Sequence, residues 1–153
     1  MDPAADYRLL VRQIRRLARA RDVQSRRIDR ETGLTLPQLM VLTALGDLGE
    51  VTSRALSAEA DMSPPTVVGV LDKLAAKGLI ERYRSDRDRR IVHARLTARG
   101  RAALAAAPDP LGEALAARIR ALSPEERRAV GAALALLGDA LDPAPTADIT
   151  AAG

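Results

Sequence analysis

The chain contains no cysteine, phenylalanine or tryptophan, and Tyr7 and Tyr83 are its two aromatic residues. Without cysteine it cannot form disulfides, thiolate metal sites or a cysteine-based redox sensor. The single histidine, His93, provides fewer ligands than a metal sensor needs. We expect it to be solvated or hydrogen-bonded on the outer face of a strand. A core without large rings must consist of Leu, Val, Ile and Ala, and Leu and Ala are strong helix formers.

Sequence patterns of several other protein classes are missing. No apolar run approaches the ~20 residues of a membrane span. The N-terminal residues MDPAADYRLLVRQIRR carry early acids and no apolar stretch of the kind found in signal peptides. No Ser-His, Cys-His or phosphate-loop pattern indicates a catalytic site. We therefore expect a soluble cytoplasmic protein that is not an enzyme and has no cofactor. Its 153 residues are the length of one ordinary domain.

Basic residues are abundant, and almost all of them are arginines. The chain has 24 Lys and Arg against 20 Asp and Glu, which gives a net charge of +4, and Lys73 and Lys77 are its two lysines. The arginine bias fits phosphate binding, for which the guanidinium fork is suited, or a genome that prefers arginine throughout. Local clustering is the stronger signal, because residues 82–101 contain eight arginines and two aspartates.

Apolar spacing and capping residues predict a mostly helical chain with one β-hairpin. Ser63 is a good N-cap, Pro64 and Pro65 lie in the first turn of the helix that follows, and Gly78 ends that helix. The segments LIERYR and IVHARL alternate as strands do, with the charged turn SDRDRR between them. The predicted helices are 7–29, 36–45, a short helix that ends at Ala60, 64–77, a helix from Ala98 that Pro108 and Pro110 interrupt, 111–121 and 125–141.

Two short helices with a tight turn between them, followed directly by a hairpin, form a winged helix-turn-helix. The expected fold class is therefore mainly α with a small β-hairpin wing. Amphipathic helices flank this lobe at both ends of the chain. They would bury their apolar faces by packing on each other, either within one chain or between two.

These residues resemble the MarR (multiple antibiotic resistance regulator) family of bacterial transcription factors. The resemblance covers about residues 7–141 and rests on GLTLPQLMVLTALGDLG and SPPTVVGVLDKLAAKGLIERYRSDRDRRIVHARLTARG. Its most specific part is the wing. There Asp88 and Arg90 match the family's Asp-x-Arg pattern, and Leu96, Thr97 and Gly100 match its Leu-Thr-x-x-Gly pattern.

The resemblance implies one MarR-type domain over residues 1–153 that assembles as a homodimer. Residues 7–30 and 98–141 would supply the dimerisation helices, residues 34–97 would form the DNA-binding lobe, and we expect residues 142–153 to be disordered. Each subunit would present its winged helix to one half-site of a pseudo-palindromic operator in double-stranded DNA. The family typically represses transcription and releases DNA when a small organic ligand binds.

We expect DNA to meet the helix after Ser63 in the major groove and the wing in the minor groove. Free N–H groups in the first turn of the helix would suit a phosphate. Thr66 would reach base edges, Val68 a thymine methyl, and Lys73 and Arg84 phosphates. The predicted DNA-binding residues are Ser63, Pro65, Thr66, Val68, Gly69, Lys73, Arg84, Arg87, Asp88, Arg89 and Arg90.

Two of these residues have alternative interpretations. Gly69 stands where many members of the family carry Arg; it either lets the helix backbone approach DNA closely or reflects drift. Asp88 either pairs with a wing arginine and orients it or is a surface turn residue. Two further functions also stay open: a winged-helix module that binds a protein partner, and an architectural protein that binds DNA without sequence preference.

Overall fold

The computed structural model describes residues 3–140. The chain divides into two compact units, Met1–Gly112 and Glu113–Gly153. The elements of the first unit are α1 (Pro3–Thr32), α2 (Leu36–Leu48), β1 (Val51–Thr52), α3 (Ser53–Glu59), α4 (Pro64–Ala76), β2 (Ile80–Arg84), β3 (Val92–Leu96) and α5 (Ala98–Ala106). The second unit contains α6 (Glu113–Arg120) and α7 (Pro124–Asp139).

The first unit has a core of aliphatic side chains, as the composition predicts. Helices α2, α3 and α4 and the inner face of the sheet surround it. A smaller cluster of Ile28, Leu36 and Leu39 anchors the end of α1 against the start of α2. The larger cluster consists of Leu34, Val41, Leu42, Ala44, Leu45, Leu56, Ala60, Val67, Val70, Leu71, Leu74, Leu79, Ile80 and Ala94.

The predicted hairpin is confirmed, and it belongs to a sheet of three strands in the order β1-β3-β2. All neighbouring strands are antiparallel, with Tyr83 opposite His93 and Val51 opposite Ala94. The two-residue strand β1 was not predicted. It is too short to show alternation, and its pairing depends on β3, which lies about forty residues further along the chain.

The helix predicted from Ala98 is interrupted where its two prolines lie. Helix α5 ends at Ala106, and helix resumes at Glu113, two residues later than predicted. The Asp109 carboxylate accepts the N–H of Leu111 at 2.8 Å, and Gly112 adopts φ +83. An Asp-led turn and a left-handed residue delay the restart, because neither conformation continues a helix.

At the N-terminal end the structure differs from the prediction, and at the C-terminal end the prediction is not tested. Helix α1 is longer than predicted at both ends, and it stops at Gly33, which adopts φ +66. The predicted disordered tail, residues 142–153, lies outside the described residues. No helix within residues 3–140 combines the length and the apolar character needed to cross a bilayer.

Candidate nucleic-acid interface

The turn between α3 and α4 fixes the direction in which α4 begins. The Ser57 hydroxyl donates to the backbone oxygen of Met62, and the Met62 N–H donates to the backbone oxygen of Ser57 at 3.1 Å. Asp61 adopts φ 49, in the left-handed region that suits a tight turn. The predicted tight turn between the two short helices is confirmed, and α3–turn–α4 is a helix-turn-helix.

The start of α4 has fewer free donors than we expected. The Ser63 hydroxyl oxygen accepts the N–H of Thr66 at 3.4 Å and lies 2.7 Å from the Thr66 hydroxyl oxygen. Pro64 and Pro65 have no N–H, so the first turn offers no free backbone N–H group. The expectation of outward N–H groups in this turn is wrong. A phosphate here would have to use hydroxyl groups instead.

Helix α4 has one buried face and one exposed face. Val67, Val70, Leu71 and Leu74 are buried in the core. The residues that we expected to face DNA are all exposed: Pro65, Thr66, Val68, Gly69 and Lys73.

The exposed face of α4 is joined to the wing by one ion pair. The Asp72 carboxylate on this face pairs with the guanidinium of Arg82, a β2 residue. It therefore ties α4 to the wing and neutralises the one acid of α4.

The wing turn, residues 85–91, is closed by its own hydrogen bonds. The Ser85 N–H donates to the backbone oxygen of Ile91 at 2.9 Å. The Ser85 hydroxyl oxygen in turn accepts the N–H groups of Arg87 at 3.2 Å and Asp88 at 3.4 Å. The Arg84 guanidinium donates to the backbone oxygen of Arg89 at 2.9 Å. Arg84 was predicted to contact a phosphate, and one of its donors instead stabilises the turn.

Asp88 organises the tip of the wing around Arg90. Its Oδ1 accepts the Arg90 N–H at 3.0 Å and Nε at 3.2 Å, and its Oδ2 accepts Nη2 at 3.4 Å. The backbone N–H of Arg90 and then its guanidinium lower the pKa of Asp88, since both favour the charged carboxylate. The Arg90 side chain is nevertheless 91% exposed. The interpretation that Asp88 pairs with a wing arginine is confirmed, and Arg90 is oriented but accessible.

The outer face of the sheet carries a stacked cluster that we did not predict. The Tyr83 and His93 rings stack with centroids 5.5 Å apart, and the Arg95 guanidinium lies 5.1 Å from the Tyr83 centroid. The Tyr83 hydroxyl and His93 Nδ1 are buried without a hydrogen-bond partner among the described residues. The expectation of a solvated or hydrogen-bonded His93 is therefore wrong at Nδ1. Tyr83 lies opposite His93 in the hairpin, and residues that are opposite each other interact directly. The sequence predicted the two strands but not this register.

The Leu-Thr-x-x-Gly residues lie at the base of the wing and have a structural task. The Thr97 hydroxyl donates to the backbone oxygens of Gly78 at 2.8 Å and Leu79 at 3.1 Å, and its oxygen accepts the Gly100 N–H at 3.0 Å. A Cβ on Gly100 would lie 1.9 Å from the Leu79 oxygen. This motif therefore locks the start of α5 against Gly78 and Leu79, which connect α4 to β2.

A helix-turn-helix with a three-stranded sheet whose hairpin is exposed and cationic defines the class of winged helix-turn-helix DNA-binding regulators. Comparison with known proteins agrees. Residues 32–91 match the sequence profile of the MarR family. The HTH-type transcriptional regulator YfiV of Bacillus subtilis is 30% identical over 109 residues, which are 71% of this chain and 68% of YfiV. The chain therefore belongs to the MarR family.

Solved structures share the fold. BpsR of Bordetella bronchiseptica, whose DNA binding is regulated by 6-hydroxynicotinic acid, is 28% identical and has a TM-score of 0.64, with 86% of this chain and 99% of BpsR covered. The transcriptional regulator BldR of Sulfolobus solfataricus is 23% identical and has a TM-score of 0.67, with 90% of this chain and 99% of BldR covered. At that identity, BldR shows likeness of fold alone.

Proposed function

We propose that the protein is a cytoplasmic, homodimeric repressor that binds a pseudo-palindromic operator and responds to a small organic ligand. The observation that carries this proposal is the accessible guanidinium of Arg90, which Asp88 holds at the wing tip. A narrow A·T minor groove concentrates negative potential and attracts such a group. The exposed face of α4 would enter the major groove beside it.

Exposed apolar surface on the outer helices supports a dimer. Leu10, Ile14 and Leu17 lie on one side of α1, and Leu10 is 56% exposed. Helix α7 has no buried residue within the described chain, although Val130, Leu134 and Leu137 share one side of it. Amphipathic helices that leave their apolar sides exposed in one subunit are suited to pack against a second copy. Sedimentation equilibrium at micromolar concentration tests this, and a stable monomer would contradict it.

A groove on α1 is the candidate site for the ligand. It is an open surface formed by residues of this helix alone, and its volume is about 520 Å³. An aromatic carboxylate fits its chemistry, because guanidinium groups pair with carboxylates and a tyrosine ring can stack. The effector of BpsR, 6-hydroxynicotinic acid, belongs to that chemical class. The groove is lined by Tyr7, Arg8, Val11, Arg12, Arg15 and Arg19.

Fluorescence anisotropy with the DNA upstream of the protein's own gene tests DNA binding. We expect Arg90→Ala to weaken binding about tenfold, the cost of losing one good guanidinium contact. Arg128→Ala is the matched control, because Arg128 is exposed on α7 and makes no hydrogen bond or ion pair within residues 3–140. Arg127 is a poorer control, since its guanidinium donates to the backbone oxygens of Arg120 and Leu122.

The same anisotropy titration distinguishes the proposed repressor from the two alternatives, a protein-interaction module and an architectural DNA-binding protein. Equal losses in the two variants would refute a wing-based interface. Failure to bind any duplex at low salt would favour a protein-interaction module. Binding without preference for a footprint of two half-sites one helical turn apart would favour an architectural protein. Adding 6-hydroxynicotinate as a probe to the complex then tests whether an aromatic carboxylate releases DNA.

A further inference from the structure

Gly69 is a glycine that the fold does not require. A Cβ built on it meets no atom within 4 Å, and its φ is not positive. Glycine inside a helix costs about 1 kcal/mol relative to alanine. Gly100 shows the opposite case, since a Cβ there would overlap the Leu79 backbone oxygen. The intramolecular contacts of Gly69 therefore give no reason for the missing side chain.

Gly69 lies in the middle of the outermost row of α4. Pro65, Gly69, Asp72 and Ala76 follow the spacing i, i+4, i+7 and i+11, which places them along one line of a helix. This line is opposite the buried residues of α4. Three of its four members are small, and the carboxylate of Asp72 is held by Arg82. The helix therefore presents a low ridge to whatever it contacts.

Among the residues that flank this ridge, Val68 suits an A·T pair, because thymine presents a methyl group in the major groove. Val68 is 40% exposed and presents a free isopropyl group. Thr66 can donate its hydroxyl proton outward if the Ser63 hydroxyl donates to it across their 2.7 Å contact. Guanine is usually read by Arg or Lys. Lys73 is the single cation on the exposed face of α4 within Pro64–Ala76.

We propose that Gly69 lets the backbone of α4 approach the base pairs closely enough for Val68 to contact the C5-methyl group of a thymine in each half-site. This inference rests on the proposed function, because it assigns a base preference to the same interface. Gly69 acts by leaving space, and Val68 makes the contact. The preference depends on a methyl group, which deoxyuridine lacks while it keeps the same base pair.

The test uses the duplex that the wild-type protein selects most strongly from a randomised 30-base-pair library. Each thymine of a half-site is replaced in turn by deoxyuridine, and binding is measured by anisotropy. At one thymine we expect wild-type affinity to fall roughly fourfold, the value of one methyl group removed from water. Val68→Ser should bind the two duplexes equally. Val23→Ser is the matched control, because Val23 is exposed on α1, and it should keep the wild-type ratio.

Gly69→Ala should weaken binding roughly tenfold, the cost of overpacking a close contact, and should reduce the thymine-to-deoxyuridine ratio. The urea midpoint of Gly69→Ala should equal or exceed that of the wild type. The weaker DNA binding would then not result from a less stable fold. Wild-type insensitivity to every deoxyuridine, a Val68→Ser variant that keeps the ratio, or wild-type affinity in Gly69→Ala would each overturn the inference. Failure to select any duplex would instead overturn the proposed function.

Discussion

Replacing Gly100 with alanine should destabilise the DNA-binding unit strongly, although it adds a single methyl group. The new Cβ would lie 1.9 Å from the Leu79 carbonyl oxygen and 3.0 Å from its carbonyl carbon. Unstrained carbon contacts lie at about 3.5–4.0 Å. Both atoms belong to backbone, so the overlap cannot be relieved by rotating a side chain. The start of α5 must therefore move away from Leu79, in the segment between α4 and β2.

That movement breaks contacts whose cost can be estimated. The Leu79 oxygen accepts the Thr97 N–H at 3.1 Å and the Thr97 hydroxyl at 3.1 Å. Each such hydrogen bond contributes about 1 kcal/mol net, and overpacking adds roughly 1–3 kcal/mol. Alanine returns up to about 1 kcal/mol of helix propensity. The free energy of unfolding should therefore fall by about 2–4 kcal/mol.

Urea denaturation followed by circular dichroism measures this loss. With an m-value of about 2 kcal/mol/M, the midpoint should fall by about 1–2 M. All variants must be compared at one protein concentration, because dimerisation adds to the apparent stability. Gly69→Ala is the matched control: it is the same substitution in a helix, without a neighbour within 4 Å, and its midpoint should not fall. An unchanged midpoint for Gly100→Ala would refute the steric reasoning.

Two other substitutions test the Asp88–Arg90 pair in the wing and the hydrogen bond between Gln24 and Asp109. Asp88→Ala should weaken operator binding severalfold in anisotropy titrations although it removes a negative charge, because Arg90 loses its partner; tighter binding would contradict this. The backbone N–H of Arg90 and then its guanidinium lower the pKa of Asp88, so the charged carboxylate stabilises the wing above the ordinary aspartate pKa of about 3.9, and this contribution is lost as pH falls through the lowered pKa. NMR titration of the carboxyl should show that the pKa rises in part in Arg90→Ala, because that variant loses the guanidinium but keeps the backbone N–H. Gln24→Ala should lower the free energy of unfolding by about 1–2 kcal/mol, since the buried amide donates to the Asp109 backbone oxygen at 2.8 Å; an unchanged value in calorimetry would show that this bond contributes nothing.

The sequence predicts best where local rules and the fold agree. Ser63, Pro64 and Pro65 predict the start of α4 because capping is a local interaction, and the structure begins the helix at Pro64. Alternation in residues 91–96 predicts which face of β3 is inward, and Ala94 is buried there. These signals depend on residues fewer than five positions apart, so neighbours in sequence suffice to find them.

Contacts between distant segments could not be predicted in this way. Strand β1 exists because Val51 pairs with Ala94 across the chain. The need for glycine at position 100 comes from the Leu79 oxygen, which only the folded backbone brings near. The family pattern marked Gly100 as specific but gave no reason for it. The structure supplies a steric reason, because the Leu79 oxygen leaves no room for a Cβ at this position.

The formal charge of the wing overstates what is available to a phosphate. Residues 82–101 contain eight arginines, yet five of them donate to groups within the protein. Arg90 donates to Asp88 and stays 91% exposed, whereas the other four are less available. Arg82 pairs with Asp72, and Arg84 donates to the Arg89 backbone oxygen. Arg95 pairs with Glu81, and Arg101 donates to the Leu96 backbone oxygen. These four guanidiniums stabilise the lobe, so a count of charges is not a count of DNA contacts.

The salt dependence of DNA affinity distinguishes the number of arginines from the number of phosphate contacts. The cations that are predicted to bind DNA and remain accessible are Lys73, Arg87, Arg89 and Arg90; Arg99, on α5, is not among them. If these four neutralise phosphates in each subunit of a dimer, a slope of about −0.9 per phosphate gives a log–log slope of about −7. If all eight arginines and Lys73 did so, the slope would be about −16. Anisotropy titrations between about 50 and 200 mM salt cover enough range to separate these values. A slope of about −16 would mean that the internal hydrogen bonds of Arg82, Arg84, Arg95 and Arg101 open when DNA binds. DNA would then reorganise the wing, and the conformation seen in the free protein would not be the one that binds.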